Sequence, residues 1–327
     1  MDVTCCPLIA ALASAAFAAQ APRPPDQPKA GPGGADYPHA KVVTNVYGQG
    51  VTQYWLFEPA EPSPKSAPLL VFNHGWLAMD PIIYRGWLHH LARRGNIVAF
   101  PRYQAHALTP AWEFARNAIG AVRSAIAELR QPGHVAPDLG KFAIAGHSAG
   151  GAISADMAAL AAAENLPVPR AVMIVQPGRG LRGNDSPFFP PADPAKVPKE
   201  TLWLVVVGDE DRVVGDETAK GIFRSVPHIP PDHKDYVIVR TDRHGRPPLI
   251  ADHISPCAPV NPAPLLMGQG CNALDYYAYW KLFDALTDFA FFGRNREFAL
   301  GNTPEQRFMG NWSDGTPVKE LIVTDTP

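Results

Sequence analysis

Apolar and polar positions along this chain follow two alternating rhythms. Short apolar runs at residues 69–73, 96–100, 141–145, 171–176, 201–207 and 235–240 have the length of β-strands. The run at 201–207 is continuously apolar, the pattern of a strand buried on both faces. Two earlier runs, 41–47 and 51–57, are separated by Gly48-Gln49-Gly50 and predict a hairpin. Helical stretches lie between the later strands. Asp80-Pro81 supplies an N-cap with proline in the first turn, and Gly95 stops that helix after Arg94. Thr109-Pro110 opens the next, with Trp112, Ala115, Ile119, Val122, Ile126 and Leu129 at helical spacing. Residues 149–163 are Ala-rich, and Ala is the best helix former. Residues 274–292 read as an amphipathic closing helix, and 321–323 as a short edge strand. Two leading strands followed by strand–helix alternation predict an α/β fold, a mostly parallel sheet with helices on both faces.

Residues 20–37, 58–68 and 177–200 are rich in proline. The first reads as a linker without fixed structure, and the last as a short cap or loop. Residues 6–19 form an apolar run too short to cross a bilayer. Ala16-Phe17-Ala18 is a cleavage signal of the A-x-A type, although Asp2 stands where a positive charge is usual. The expected organisation is a signal peptide at 1–18, a Pro/Gly-rich linker at 19–37 and a single domain at 38–327, in a secreted or periplasmic protein. Cys5 and Cys6 would leave with the signal peptide. Cys257 and Cys271 remain, and in an oxidising compartment they are expected to form a disulfide. A net charge of -2 gives no reason to expect nucleic acid as a partner. Stable membrane insertion is not expected, and a monomer is. Neither an H-E-x-x-H motif nor a paired-Cys metal spacing is present, so no metal is expected.

The chemistry centres on Gly146-His147-Ser148-Ala149-Gly150, a G-x-S-x-G between a predicted strand and a predicted helix. Glycines on both sides permit a sharp turn, and the helix N-terminus behind Ser148 favours negative charge. A serine hydroxyl is a poor nucleophile unless a base takes its proton. Histidine does this, with a carboxylate fixing its tautomer. Asp209, Glu210 and Asp211 compete for the acid; Asp211, three after Gly208, is preferred. His228 and His233 precede the last long strand, whereas His244 and His253 follow it. His244 lies between Arg243 and Arg246, whose charges disfavour imidazolium. His253 follows the apolar Leu249, Ile250 and Ala251 and is the preferred base. An oxyanion needs backbone donors, expected here from the N–H groups of Trp76 and Ala149. Trp76 and His147 are the expected substrate contacts, and His74 reads as structural.

These pieces together resemble an identifiable family. Asn73-His74-Gly75-Trp76, Gly146-His147-Ser148-Ala149-Gly150-Gly151, Gly208-x-x-Asp211 and a histidine after the last strand are similar to secreted α/β-hydrolases. The branch resembled is that of the dienelactone hydrolases and the cutinase-like polyester hydrolases. The resemblance covers about residues 37–292. It implies the α/β-hydrolase fold, a Ser148–Asp211–His253 triad, no metal and no organic cofactor. Dienelactone hydrolases use cysteine as nucleophile, so Ser148 points to esterases instead. Polyester hydrolases usually carry methionine where Ala149 stands. The expected activity is a serine carboxylesterase working through an acyl-Ser148 intermediate on a small or polymeric ester. A polyester hydrolase or an acyltransferase would share the triad. A catalytically silent binding module would lack one of its members.

Overall fold

The computed structural model describes residues 21–180, 188–258 and 270–327. The expected signal peptide and part of the expected cap over 177–200 lie outside them. Nine strands build one sheet: β1 (Lys41–Tyr47), β2 (Tyr54–Ala60), β3 (Ser66–Asn73), β4 (Ile97–Pro101), β5 (Ala136–His147), β6 (Ala171–Val175), β7 (Leu202–Gly208), β8 (Lys234–Val239) and β9 (Ile322–Thr324). Their order is β1-β2-β4-β3-β5-β6-β7-β8-β9. From β4 to β8 every neighbouring pair is parallel, and β1, β2 and β9 are antiparallel additions at the two edges. Every residue of β4, β6 and β7 is buried, which is why these strands read as continuous apolar runs.

Helices cover both faces. α1 (Arg85–Arg93) and α5 (Trp280–Phe292) pack on one, with Trp87, Leu91, Leu282 and Leu286 in the core. α2 (Phe114–Glu128), α3 (Ala149–Leu160) and α4 (Glu217–Arg224) pack on the other, through Ile119, Val122, Ile153, Met157 and Phe223. The chain leaves β3 through α1 on one face and reaches β5 through α2 on the opposite face. The sheet order therefore reverses beside β3. In open α/β sheets the crevice at such a reversal, outside the carboxyl ends of the strands, is where ligands bind.

Local differences from the sequence pattern have local causes. Residues 50–52 wind into a short 3-10 turn, so the second strand begins at Tyr54 and not at 51. The helix expected from residue 80 starts as a 3-10 turn over Pro81–Tyr84, capped by Asp80 Oδ1 accepting from the Ile82 N–H at 2.9 Å. β3 and β5 extend back to a pairing of Ser66 with Ala136, across a register shift at Pro68/Leu69.

Three expectations are corrected. The closing helix is not amphipathic: α5 is buried on nearly all sides. Its outer side is covered by the C-terminal stretch, whose Met309, Trp312 and Leu321 are buried in the same core. Residues 21–37 are not a free linker but lie against the body. Gly33 N–H donates to Asp284 at 2.8 Å, Arg246 N–H donates to the Pro22 carbonyl at 2.8 Å, and Ser313 N–H to the Arg23 carbonyl at 3.0 Å. Prolines have no N–H to satisfy, so a Pro-rich arm docks with few partners. Cys257 and Cys271 are free thiols and not a disulfide. Cys257 packs just ahead of α1 and Cys271 against its first turn. Cys257 meets the Tyr84 hydroxyl, and Cys271 lies where a Cβ on Gly86 would be. Burial pushes both thiols up to about 12, which disfavours the thiolate. Among the described residues no helix is long and apolar enough to cross a membrane.

A buried lysine helps to hold the C-terminal cover, although burial pushes its pKa down to about 7. Lys281 on α5 donates from Nζ to the carbonyls of Glu305, Gln306 and Phe308, at 3.1, 2.8 and 2.6 Å. Lys281→Met keeps the apolar stem and strands three acceptors. It should cost about 2–4 kcal/mol and lower the thermal midpoint by about 5 °C or more. A scanning-calorimetry midpoint within about 2 °C of wild type would show that the ammonium is dispensable.

Candidate active site

Ser148 sits between β5 and α3 at φ 58° and ψ −124°. A positive φ is costly for a residue with a Cβ, and such strain persists only where the surroundings impose it. Here they do. Ser148 N–H donates to the Val175 carbonyl of β6 at 2.9 Å. A Cβ on Gly146 would overlap the Gly150 carbonyl, and one on Gly150 would overlap the carbonyls of Asn73 and His74 at the end of β3. Asn73 Nδ2 donates to Ser154 Oγ at 2.9 Å, and Ser154 Oγ donates to the Gly150 carbonyl at 2.7 Å. The turn is thus pressed between two strands, with the hydroxyl at the sheet's carboxyl edge.

Ser148, His253 and Asp211 are joined in series. Ser148 Oγ lies 2.9 Å from His253 Nε2, and His253 Nδ1 lies 2.7 Å from Asp211 Oδ2. Asp211 is nearly buried. Burial alone would raise its pKa. The His253 hydrogen bond and charge, and the N–H groups of Val214 and Val213 on Oδ1, outweigh this and hold it below the usual carboxylate value. The His253 loop is fixed by its main chain: Gln176 Nε2 donates to the Asp252 carbonyl at 2.8 Å, and Glu210 N–H to the Ala251 carbonyl at 3.1 Å. A proton can pass from Ser148 Oγ to His253 Nε2 while Asp211 holds the opposite nitrogen.

The rivals are engaged elsewhere. His244 Nε2 lies 2.8 Å from Asp314 in the C-terminal stretch. His228 Nε2 faces the Val197 carbonyl at 2.7 Å. Asp209 accepts from the Thr241 N–H at 2.9 Å, and Glu210 makes a two-pronged pair with Arg243 at 2.6 Å. His74 is fully buried and stacked 4.0 Å from the Tyr103 ring; burial pushes its pKa down to about 4.

The loop after β3 presents its N–H groups selectively. Gly75 N–H donates to the Tyr84 hydroxyl at 2.9 Å, and Leu77 N–H to Gln104 Oε1 at 2.8 Å. Among the described residues the Trp76 and Ala149 N–H groups have no protein acceptor, and both residues line the cavity beside Ser148. His147, an expected substrate contact, has both ring nitrogens occupied by protein. Nδ1 lies 2.9 Å from the Tyr84 hydroxyl and Nε2 lies 2.8 Å from the His253 carbonyl. What His147 can offer a ligand is ring surface. Burial, then the His253 charge, push its pKa down to about 3, so the ring is neutral.

The cavity over Ser148 has a volume of about 230 Å³. Ile83, Phe114, Phe189, Val214 and Ile254 form much of its wall. Arg179 also reaches it, but its guanidinium is spent on Asp156, 2.6 and 2.9 Å away, and lies over the Phe189 ring. Tyr84, Gln104, Gln176 and the Asp156–Arg179 pair are site residues that the sequence argument did not single out. No spacing or motif marks them, because each acts across the fold. Among the described residues no group of three His, Cys, Asp or Glu side chains is arranged to hold a metal.

Sheet order, flanking helices and a strained serine at the end of the central strand define the α/β-hydrolase fold. The sequence model of the chlorophyllase family matches residues 55–192, less than half of the chain. The matched stretch contains Trp76 and Ser148 and stops before Asp211 and His253. That family shares the fold and is one of serine-based ester hydrolases, so the chain is placed among ester-hydrolysing α/β-hydrolases. The motifs alone resemble the dienelactone- and polyester-hydrolase branch; the common ground is the serine-based ester hydrolase. No curated protein matches the chain.

Two glycines separate packing from propensity. Gly120, inside α2, has nothing within 4 Å of a Cβ. Gly120→Ala should stabilise by about 0.5–1 kcal/mol. Gly150→Ala meets main-chain oxygen and should destabilise by more than about 3 kcal/mol. Equal midpoints for the two variants in urea unfolding would refute the close approach of α3 to β3.

Proposed function

We propose that this protein is a carboxylesterase acting through an acyl-Ser148 intermediate on esters of uncharged, apolar acids. The observation that supports it best is the unbroken series Ser148–His253–Asp211 beside two N–H groups without protein partners. In this mechanism His253 takes the Ser148 proton as Oγ bonds to the ester carbonyl carbon. Asp211 stabilises the imidazolium. The carbonyl oxygen becomes an oxyanion accepting from the Trp76 and Ala149 N–H groups. His253 then gives its proton to the departing alcohol as the carbon–oxygen bond breaks. Water, deprotonated by His253, repeats the sequence and releases the acid from Ser148.

The wall of the cavity supports the substrate class. Among the described residues its side chains are largely apolar, and the one guanidinium lining it, that of Arg179, is already paired. A charged acyl group would lose its hydration without a counter-charge. The enclosed volume, about 230 Å³, is that of roughly seven or eight waters, enough for a short acyl chain. A second reading is a larger or polymeric ester. It is favoured by the apolar side chains Trp76, Phe188 and Val213, which line the cavity and are exposed, and by the exposed Trp112 close by.

Single variants test the roles. Ser148→Ala should lose activity by about a millionfold and Asp211→Asn by about ten-thousandfold, each with unchanged far-UV circular dichroism. His253→Ala should lose several orders of magnitude, whereas His244→Ala should stay within about threefold. A tenth of wild-type rate left in Ser148→Ala, or an inactive His244→Ala beside an active His253→Ala, would overturn the assignment.

A nitrophenyl ester panel tests the acyl group. Butyrate should exceed the hemisuccinate in kcat/KM by more than about tenfold, since a desolvated charge costs more than about 1.4 kcal/mol. A preference for hemisuccinate would contradict the apolar reading. Release of soluble acid from a polyester film at a rate comparable to butyrate turnover would favour the polymeric reading.

A further inference from the structure

We infer that Tyr84 and His147 are positioning residues that lock the oxyanion-donor loop and the base loop to one another. This rests on the esterase reading of Ser148, His253 and the Trp76 N–H. The geometry fixes the direction of every hydrogen bond. The His253 carbonyl can only accept, so His147 Nε2, 2.8 Å away, carries the ring proton. A neutral imidazole then offers a lone pair at Nδ1, and the Tyr84 hydroxyl, 2.9 Å away, donates to it. The Tyr84 oxygen accepts in turn from the Gly75 N–H at 2.9 Å. One chain of donors thus runs from Gly75 through Tyr84 and His147 to the main chain of His253.

Each end of this chain adjoins a reacting group. Gly75 is bonded to Trp76, which lines the cavity and whose N–H has no protein acceptor among the described residues, and the far end is the carbonyl of His253 itself. His147 is also bonded to Ser148. Three loops from different strand ends are therefore tied through two buried side chains, both under 5% exposed. The His147 and His253 rings lie 4.9 Å apart, so the relay also limits how the base can tilt. Burial supports the assignment: it keeps the Tyr84 hydroxyl protonated and the His147 ring neutral. A catalytic donor or base displaced by a few tenths of an ångström loses much of its effect.

A purely space-filling role makes a different prediction, because phenylalanine preserves the Tyr84 packing against Phe72, centroids 4.9 Å apart. The experiment is steady-state hydrolysis of nitrophenyl butyrate by the full chain. The variants are Tyr84→Phe, His147→Leu, His147→Gln, the Tyr84→Phe/His147→Leu double and Ser148→Ala. Tyr84→Phe and His147→Leu should each lower kcat about ten- to a hundredfold with KM within twofold, the signature of lost transition-state positioning. His147→Gln, whose amide can donate to the His253 carbonyl and accept from Tyr84, should regain at least tenfold over His147→Leu. The double variant should be no worse than its poorer parent, because both break one chain. Wild-type kcat in both single variants, or losses that multiply in the double, would overturn the inference. Should Tyr84→Phe fail to fold, the two His147 variants decide alone: equal kcat values refute the relay. An active Ser148→Ala would sink the esterase reading itself, whereas an inactive Ser148→Ala beside an unimpaired Tyr84→Phe sinks only the relay.

Discussion

The first turn of α3 passes the end of β3 so closely that only hydrogen fits at Gly150, against the carbonyls of Asn73 and His74. That approach organises the site. It brings the N-terminus of α3 beside the loop after β3, so Ala149 and Trp76, from two separate elements, line one small cavity. It also imposes the strained φ of Ser148. Strain of this kind costs about 1–3 kcal/mol. The Ser148 N–H bond to Val175 and the Asn73–Ser154–Gly150 bonds hold the turn against it, and α3 is buried almost throughout. A helix that must be Ala- and Gly-rich to sit this deep is what the sequence carries from 149 to 163.

Donor selection follows from the same loop. Gly75 and Leu77 give their N–H groups to Tyr84 and Gln104, leaving the Trp76 N–H between them without a protein acceptor among the described residues, in a residue that lines the cavity. Fixing the neighbours fixes the middle donor without consuming it. Such preorganised dipoles act more strongly in a dry, apolar cavity than in water. On the proposed reading, the electrostatics of the site are set by which backbone groups have been satisfied elsewhere.

Much of this was legible in the sequence, and the parts that were not share a cause. The parallel strands could be read because strands buried on both faces are continuously apolar. Ser148 could be read because strand, glycines and helix are adjacent in the chain. The residues flanking His253 and His244 gave only a preference for His253 as base; in the structure His244 is paired with Asp314 and His253 lies between Asp211 and Ser148. By contrast, Tyr84 and His147 are 63 positions apart, and His147 and His253 are 106 apart. No local pattern encodes such partners. The reading of 274–292 as amphipathic failed for the same reason. Periodicity assumes one wet face, and the chain beyond Gly293 covers the outer face of that helix. The docked arm at 21–37 and the two free thiols likewise depend on neighbours distant in sequence.

Charge pairing around the cavity bears on turnover as much as on binding. Ester hydrolysis turns a neutral substrate into a carboxylic acid that is ionised near neutral pH. An unpaired guanidinium facing Ser148 would attract that product and slow its release. Arg179 is instead held two-pronged by Asp156, which also accepts from the Ala192 N–H at 2.9 Å. The pair fastens the chain after β6 to α3 and removes net charge from the cavity wall at once. Among the described residues, the bound acid then meets apolar side chains, the Asp211 carboxylate behind His253 and the Trp76 and Ala149 N–H groups, but no unpaired cation. On the proposed reading the only hold on the product's charge is then the N–H pair that serves the transition state, with no unpaired cation to add to it.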